Sequence, residues 1–288
     1  MRRSFVILLL GALLPAGCLG TKPSLYLVDA VVEADVVWQG EVRIRGVVTV
    51  KKQGRVVILP GTKIVFEPVD RDGDGIGDSE LLVEGALLAR GTAEAPILFT
   101  SGAAEPKPQD WKYLYFDFAK EAVLEHVVSE YAYSGVQVHF CRATVRDSVF
   151  RYNVDGVRFS TVNIEVAGNR MIHNTHGLRY EERGSVASVH HNDIRNNDIG
   201  IFAVTRSKDK ATIARNNLVD NRNYSVKLGI EQREDVTLPY NWWGTTDGEQ
   251  IAAGILDRRI DPQLGRVLTP APLTGPVDIS RWREEKVP

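Results

Sequence analysis

Between residues 135 and 230 the chain alternates apolar and polar positions in short runs that restart at near-constant intervals. The runs GVQV, GVRF, GLRY and GIFA begin at Gly135, Gly156, Gly177 and Gly200, spaced by 21, 21 and 23 residues, and SVKL follows from Ser225. Period-two alternation marks a strand with one buried face. The first inward position holds Val136, Val157, Leu178, Ile201 and Val226, and the second Val138, Phe159, Tyr180, Ala203 and Leu228. Units this short cannot enclose a core alone, but stacked they bury a continuous apolar column.

Asparagine follows the same rhythm. Asn153, Asn174, Asn197 and Asn221 precede the last four runs, and a second series comprises Asn169, Asn192, Asn216 and Asn241. Glycine is expected to supply positive φ at tight corners. Asparagine tolerates left-handed backbone and bonds nearby amides, and stacked copies can form amide ladders along the axis. Upstream, EVRIRGVVTVKKQGRVVILPGTKIVF reads as brief strands between turns at Gly46, Gly54 and Pro60-Gly61, and LLVEGALLARGTAEAPILFTS continues through Gly85 and Gly91. No helix of ordinary length is expected between residues 40 and 240; GEQIAAGILD, 248–257, is the helical segment. A leucine-rich repeat would need a denser leucine pattern, and a propeller about 40 residues per blade. The predicted fold is all-β: a right-handed parallel β-helix (solenoid) with a short C-terminal helical cap.

The N-terminus changes the picture of location. MRRSFVILLLGALLPAGC has a basic start, an apolar run and a small-residue exit, the form of a secretory signal peptide over residues 1–17. The run is shorter than the roughly 20 residues a spanning helix needs. LPAGC resembles a bacterial lipobox with Cys18 as the lipidated residue, although Pro15 stands where the lipobox usually has leucine. The expected organisation is a lipidated N-terminus and linker at 18–39, a β-helix at 40–240 with an acidic loop inserted at 69–80, and a C-terminal cap and tail at 241–288. Loss of Arg2 and Arg3 takes the net charge from −2 to −4, so nucleic acid is not an expected partner. Lipidation of Cys18 leaves Cys141 alone, which excludes an internal disulfide. A monomer anchored to a membrane of the bacterial cell envelope is expected.

The chain resembles bacterial secreted and lipid-anchored proteins with parallel β-helix repeats. The resemblance rests on PGTKIVF, on LLVEGALLARGTAEAPILFTS, on Trp111 opening WKYLYF, and on the C-terminal NWWGTTDGEQIAAGILDRRIDPQLGRVLTPAP. It implies that Trp242 and Trp243 cover the end of the apolar column while the segment around Ile251 and Ile255 shields the open strand edge. Such folds carry lyases, hydrolases, epimerases and binding proteins, so function rests on the site.

Two features bear on chemistry. The first is DRDGDGIGDSEL, where Asp70, Asp72, Asp74 and Asp78, with the Ile76 carbonyl, match the spacing of a calcium loop, and Gly75 occupies the sharp turn. Leu81 replaces the usual final glutamate. Structural Ca2+ is therefore expected there. The second is the outward face of the stacked strands: Gln137, Arg158, Arg179, Phe202 and Lys227 in one column, His139, Ser160, Glu181, Val204 and Gly229 in the next. Arg158 and Arg179 should lie about 4.8 Å apart on neighbouring coils. With Glu181 they form a candidate ligand face for an acidic glycan, against a reading as a solvated strand surface. Tyr113, Tyr115, Tyr131, Tyr133 and Tyr152 are candidates for sugar stacking or for side-chain ladders. His190 and His191, adjacent on a strand, should point to opposite faces, and Cys141 reads as a packed thiol. A hydrolase needs converging carboxylates, and none can be read in these columns. No catalytic residues are assigned. The expected function is a cell-envelope binding or scaffold module, for polysaccharide; the alternatives are a carbohydrate-active lyase or hydrolase and a purely structural spacer.

Overall fold

The computed structural model describes residues 24–181, 185–205 and 211–283; Cys18 and the leader lie outside them. Three parallel sheets of nine, ten and eight strands run the length of the described solenoid. One coil, residues 127–146, shows how they connect: Val127–Glu130 enters the nine-stranded sheet, Ala132–His139 the ten-stranded sheet and Arg142–Arg146 the eight-stranded sheet. Strands begin at Ser24, inside the stretch set aside above as linker.

The inward columns stack in the expected register. Val136 pairs with Val157, then Leu178, Ile201 and Val226; Val138 pairs with Phe159, then Tyr180, Ala203 and Leu228. All ten are buried. Nearer the N-terminus Trp111 stacks on Phe66 with ring centroids 4.0 Å apart.

The phased glycines have a different reason from the one expected. Gly135, Gly156, Gly177 and Gly200 do not have positive φ. A Cβ on Gly156 would lie 2.6 Å from the Gly177 carbonyl oxygen and 3.0 Å from Asn174 Nδ2, so the position needs close approach, not a left-handed backbone. Positive φ falls instead on larger residues at the corners: Tyr131, Tyr152, His173, Asn196 and Asp220 on one, Phe118, Phe140 and Thr161 on another.

The asparagines form two amide ladders. Asn153 donates its side-chain amide to Asn174 Oδ1 at 3.2 Å, Asn174 to Asn197 at 3.1 Å and Asn197 to Asn221 at 3.1 Å. Asn169, Asn192, Asn216 and Asn241 repeat this at 3.0, 2.9 and 3.1 Å. Each ladder satisfies backbone groups that the tight corners leave without a strand partner.

After the last full coil, Asp247 caps the helix Gly248–Ala253 through the Glu249 and Gln250 amides. Ile255–Leu256 then adds to the ten-stranded sheet beside Val226–Lys227. The tail returns along the outside: Val277 exchanges two hydrogen bonds with the Asn217 side chain, and Trp282 Nε1 donates to Asp147 at 2.7 Å.

Candidate functional site

On two of the sheets, outward charges of opposite sign meet across rungs. Glu125 lies 3.3 Å from Arg90 and 3.7 Å from Arg146 on the eight-stranded sheet, and Glu130 lies 2.7 Å from Arg151 on the nine-stranded sheet. The ten-stranded sheet breaks this rule. Arg158 and Arg179 are direct register partners, with Gln137 one rung before and Phe202 one rung after. Like charges directly opposite each other are destabilising.

Asp155 offsets part of that cost. It is fully buried, and its Oδ1 lies 2.7 Å from His176 Nδ1. Its Oδ2 accepts from Arg179 Nη1 at 3.3 Å and from the Ser134 hydroxyl at 3.4 Å, with Arg158 Nη1 at 3.8 Å. One carboxylate thus faces two guanidiniums and an imidazole. Phe202 extends the face: His176 stacks on its ring at 4.9 Å, and Arg179 and Lys227 each sit 5.6 Å from its centroid.

Toward the N-terminal rungs the surface becomes aromatic. Tyr113 packs edge-on against Tyr115 and Tyr133 at 6.0 and 5.9 Å. The Tyr115 hydroxyl lies 3.2 Å from His139 Nδ1. Burial, then the Arg158 charge, push the His139 imidazole down to about 4, so it is neutral near pH 7. Burial, then the neighbouring Asp117, push the Tyr115 phenol up to about 12. Three buried side-chain polar atoms on this face have no hydrogen-bond partner among the described residues: Asp117 Oδ1, His139 Nε2 and Arg179 Nε. A buried unpaired group costs about 1–3 kcal/mol, so three on one surface call for an explanation.

The three ligand-face residues expected from sequence come together. Arg158, Arg179 and Glu181 line one shallow depression with His139 and Ser160. Sequence reasoning did not bring Asp155 or His176 into this cluster. They share a register column with Ser134 immediately before the phased glycines, and turn chemistry masked the signal. Tyr131, Tyr152 and His173 form a stacked corner ladder at 5.7 and 5.5 Å. His190 and His191 do not diverge as expected. His191 has φ 52°, which turns the chain and brings the two Nδ1 atoms within 3.0 Å.

A family model described as periplasmic copper-binding protein (NosD) matches residues 112–255, half of the 288-residue chain. The chain belongs to the NosD family. No curated protein and no solved structure matches the chain. The NosD match covers coils of the right-handed parallel β-helix described above, and the family's periplasmic location agrees with the cell-envelope expectation.

The family description names copper, which favours imidazole, thiolate and thioether donors. The described residues do not assemble such a set. Met171 is in the core. The Cys141 thiol is pushed up to about 11 by burial. The His190–His191 pair has Glu165 3.8 Å from His190 Nε2, but no third donor within 4.8 Å of both.

The calcium expectation is corrected. The NosD family is described by copper, not by calcium. The carboxylates of the acidic loop also have another use, as acceptors for the loop's own amides. Asp70 accepts from Gly73 and Gly75 at 2.7 and 3.0 Å, Asp72 from Asp74 at 3.2 Å, Asp74 from Ile76 at 2.7 Å, and Asp78 from Arg71 at 2.7 Å. The Gly73 and Gly75 amides hold the Asp70 carboxyl below its usual range. One oxygen each of Asp70, Asp72 and Asp78 lies within 4.8 Å of the others, with Asp74 outside that group. The aspartates therefore read as a chain of side-chain turns. The loop is pinned at its base where the Ser79 hydroxyl donates to the Glu67 carbonyl at 2.6 Å.

Proposed function

We propose that this NosD-family protein is a periplasmic binding module for an acidic polysaccharide, held on the outward face of the ten-stranded sheet. The observation that carries the reading is the like-charged register pair Arg158 and Arg179, beside a single buried counter-carboxylate. A chain of regularly spaced carboxylates supplies the missing negative charge along the same axis, and guanidinium forks suit carboxylates. Gln137, Glu181 and the tyrosines add polar and aromatic contacts typical of sugar recognition.

The binding reading is favoured over hydrolysis because Asp155 is fully buried and engaged by His176 and Arg179. It is not free to protonate a glycosidic oxygen, and hydrolysis needs two carboxylates flanking that bond. A featureless surface would fit a spacer, and this face is not featureless. The proposal includes anchoring of the monomer through lipidated Cys18, and end-covering by Trp243 and Ile251, both buried against the core cluster. The test is calorimetry of the mature chain with polygalacturonate and with a neutral glucan. Arg158→Gln should weaken the acidic ligand at least about tenfold, and added salt should weaken it further. Equal binding of both polymers, or none of either, would reject the reading.

A further inference from the structure

The orphaned polar atoms of Asp117 and His139 sit beside two aromatic rings in a conformation that aromatic residues rarely adopt. Phe118 and Phe140 follow them directly, at the corner leaving the ten-stranded sheet. Their φ angles are 50° and 52°, in the left-handed region, where bulky residues are outliers. Their rings stack at 4.7 Å and 14°, yet remain 60% and 49% exposed. The next corner residue in the column is Thr161, so the platform is two rings long. The same φ recurs at other corners of the solenoid, so it is the exposed apolar stack that sets this pair apart.

The polar atoms beside it have a defined character. Asp117 and His139 are register partners, and the Tyr115 hydroxyl contacts both side chains. Asp117 Oδ1 is a carboxylate acceptor without a hydrogen-bond partner, and His139 Nε2, a donor or an acceptor according to the tautomer, has none either; both residues immediately precede the two rings of the platform. A pyranose ring offers the complement: neighbouring hydroxyls on its edge, each able to donate and to accept, and a C–H face for the rings. An acyl chain would leave both polar atoms unsatisfied.

We propose that Asp117-Phe118 and His139-Phe140 form a subsite for a neutral sugar, adjoining the Arg158/Arg179 anion site. It rests on the polysaccharide reading above and deepens it: the ligand carries uncharged as well as acidic residues. His139 joins the two sites, because it lines the same depression as Arg158 and Arg179 while its ring meets Phe140 edge-on at 6.0 Å.

Three proteins are compared by calorimetry: the mature chain, Phe118→Ala/Phe140→Ala, and Arg158→Gln/Arg179→Gln. The probes are hyaluronan, which alternates an acidic and a neutral sugar, and polygalacturonate, which is wholly acidic. The phenylalanine variant should lose about tenfold on hyaluronan and nothing on polygalacturonate. Its melting temperature should change little, because both rings are largely exposed and alanine keeps the same backbone strain. The arginine variant should lose both ligands. Unchanged hyaluronan binding by the phenylalanine variant overturns the neutral subsite and leaves the anion site standing. Unchanged binding by the arginine variant overturns the polysaccharide reading instead. A dimer of the mature chain in light scattering that the phenylalanine variant abolishes, with glycan binding intact, would make the platform a self-association surface and overturn the proposal.

Discussion

Asn192 should be among the most costly single truncations in the molecule. Its side chain makes five hydrogen bonds. Oδ1 accepts from the Asn169 backbone amide and Asn169 Nδ2, each at 3.0 Å. Nδ2 donates to Val166 O, His190 O and Asn216 Oδ1, each at 2.9 Å. Every group lies inside the solenoid wall, where water cannot substitute. Asn192→Ala leaves the Asn169 amide unpaired, at about 1–3 kcal/mol, and removes four further bonds worth about 0.5–1.5 kcal/mol each before relaxation. Partial retention of other partners, such as Val145 O for Asn169 Nδ2, brings the expected loss to about 4 kcal/mol. For a chain of this size that corresponds to a fall in Tm of about 8–16 °C. Thermal unfolding followed by circular dichroism measures it, with exposed Asn223→Ala as the control. A change below about 2 °C for Asn192→Ala would show that the ladder is ornamental and that strand pairing alone holds the corners.

Leu178→Ala should cost about 2–5 kcal/mol by lost transfer and cavity formation, whereas outward Lys227→Ala should cost under about 1 kcal/mol; equal losses in denaturant titration would contradict the register. His139 is depressed to about 4 from an ordinary 6.5, so the folded state binds fewer protons than the unfolded state between those values. Its contribution is complete above pH 6.5 and is lost as pH falls toward 4. His139→Gln should therefore unfold less steeply over that window, and an identical acid profile would refute the assignment. Cys18→Ser should move the protein from the membrane to the soluble fraction; retention on membranes, or a mature N-terminus elsewhere by mass spectrometry, would exclude the lipid anchor.

The repeating sequence determined the architecture by itself. Inward apolar positions that return every 21–25 residues can be buried only by stacking, and both valine-led columns and both asparagine series took their places in register. The outward columns were legible for the same reason, because alternation assigns each residue a face; Arg158, Arg179 and Glu181 followed from it. Tertiary structure decided what local pattern cannot express. The glycines serve close approach to the next coil rather than left-handed corners, a distinction visible only once the coils are stacked. The acidic loop has the spacing of an ion site, yet its carboxylates bind the loop's own amides, because backbone donors folded within reach. Asp155, His176 and Ser134 looked like three unrelated turn residues about 21 positions apart in the chain, and became one polar cluster because the helical pitch superimposes them. His190 and His191 converge because a positive φ between strands cancels the alternation that would have separated them. Periodicity specifies which residues share a column; the angle of each corner and the spacing of the coils specify which of them touch.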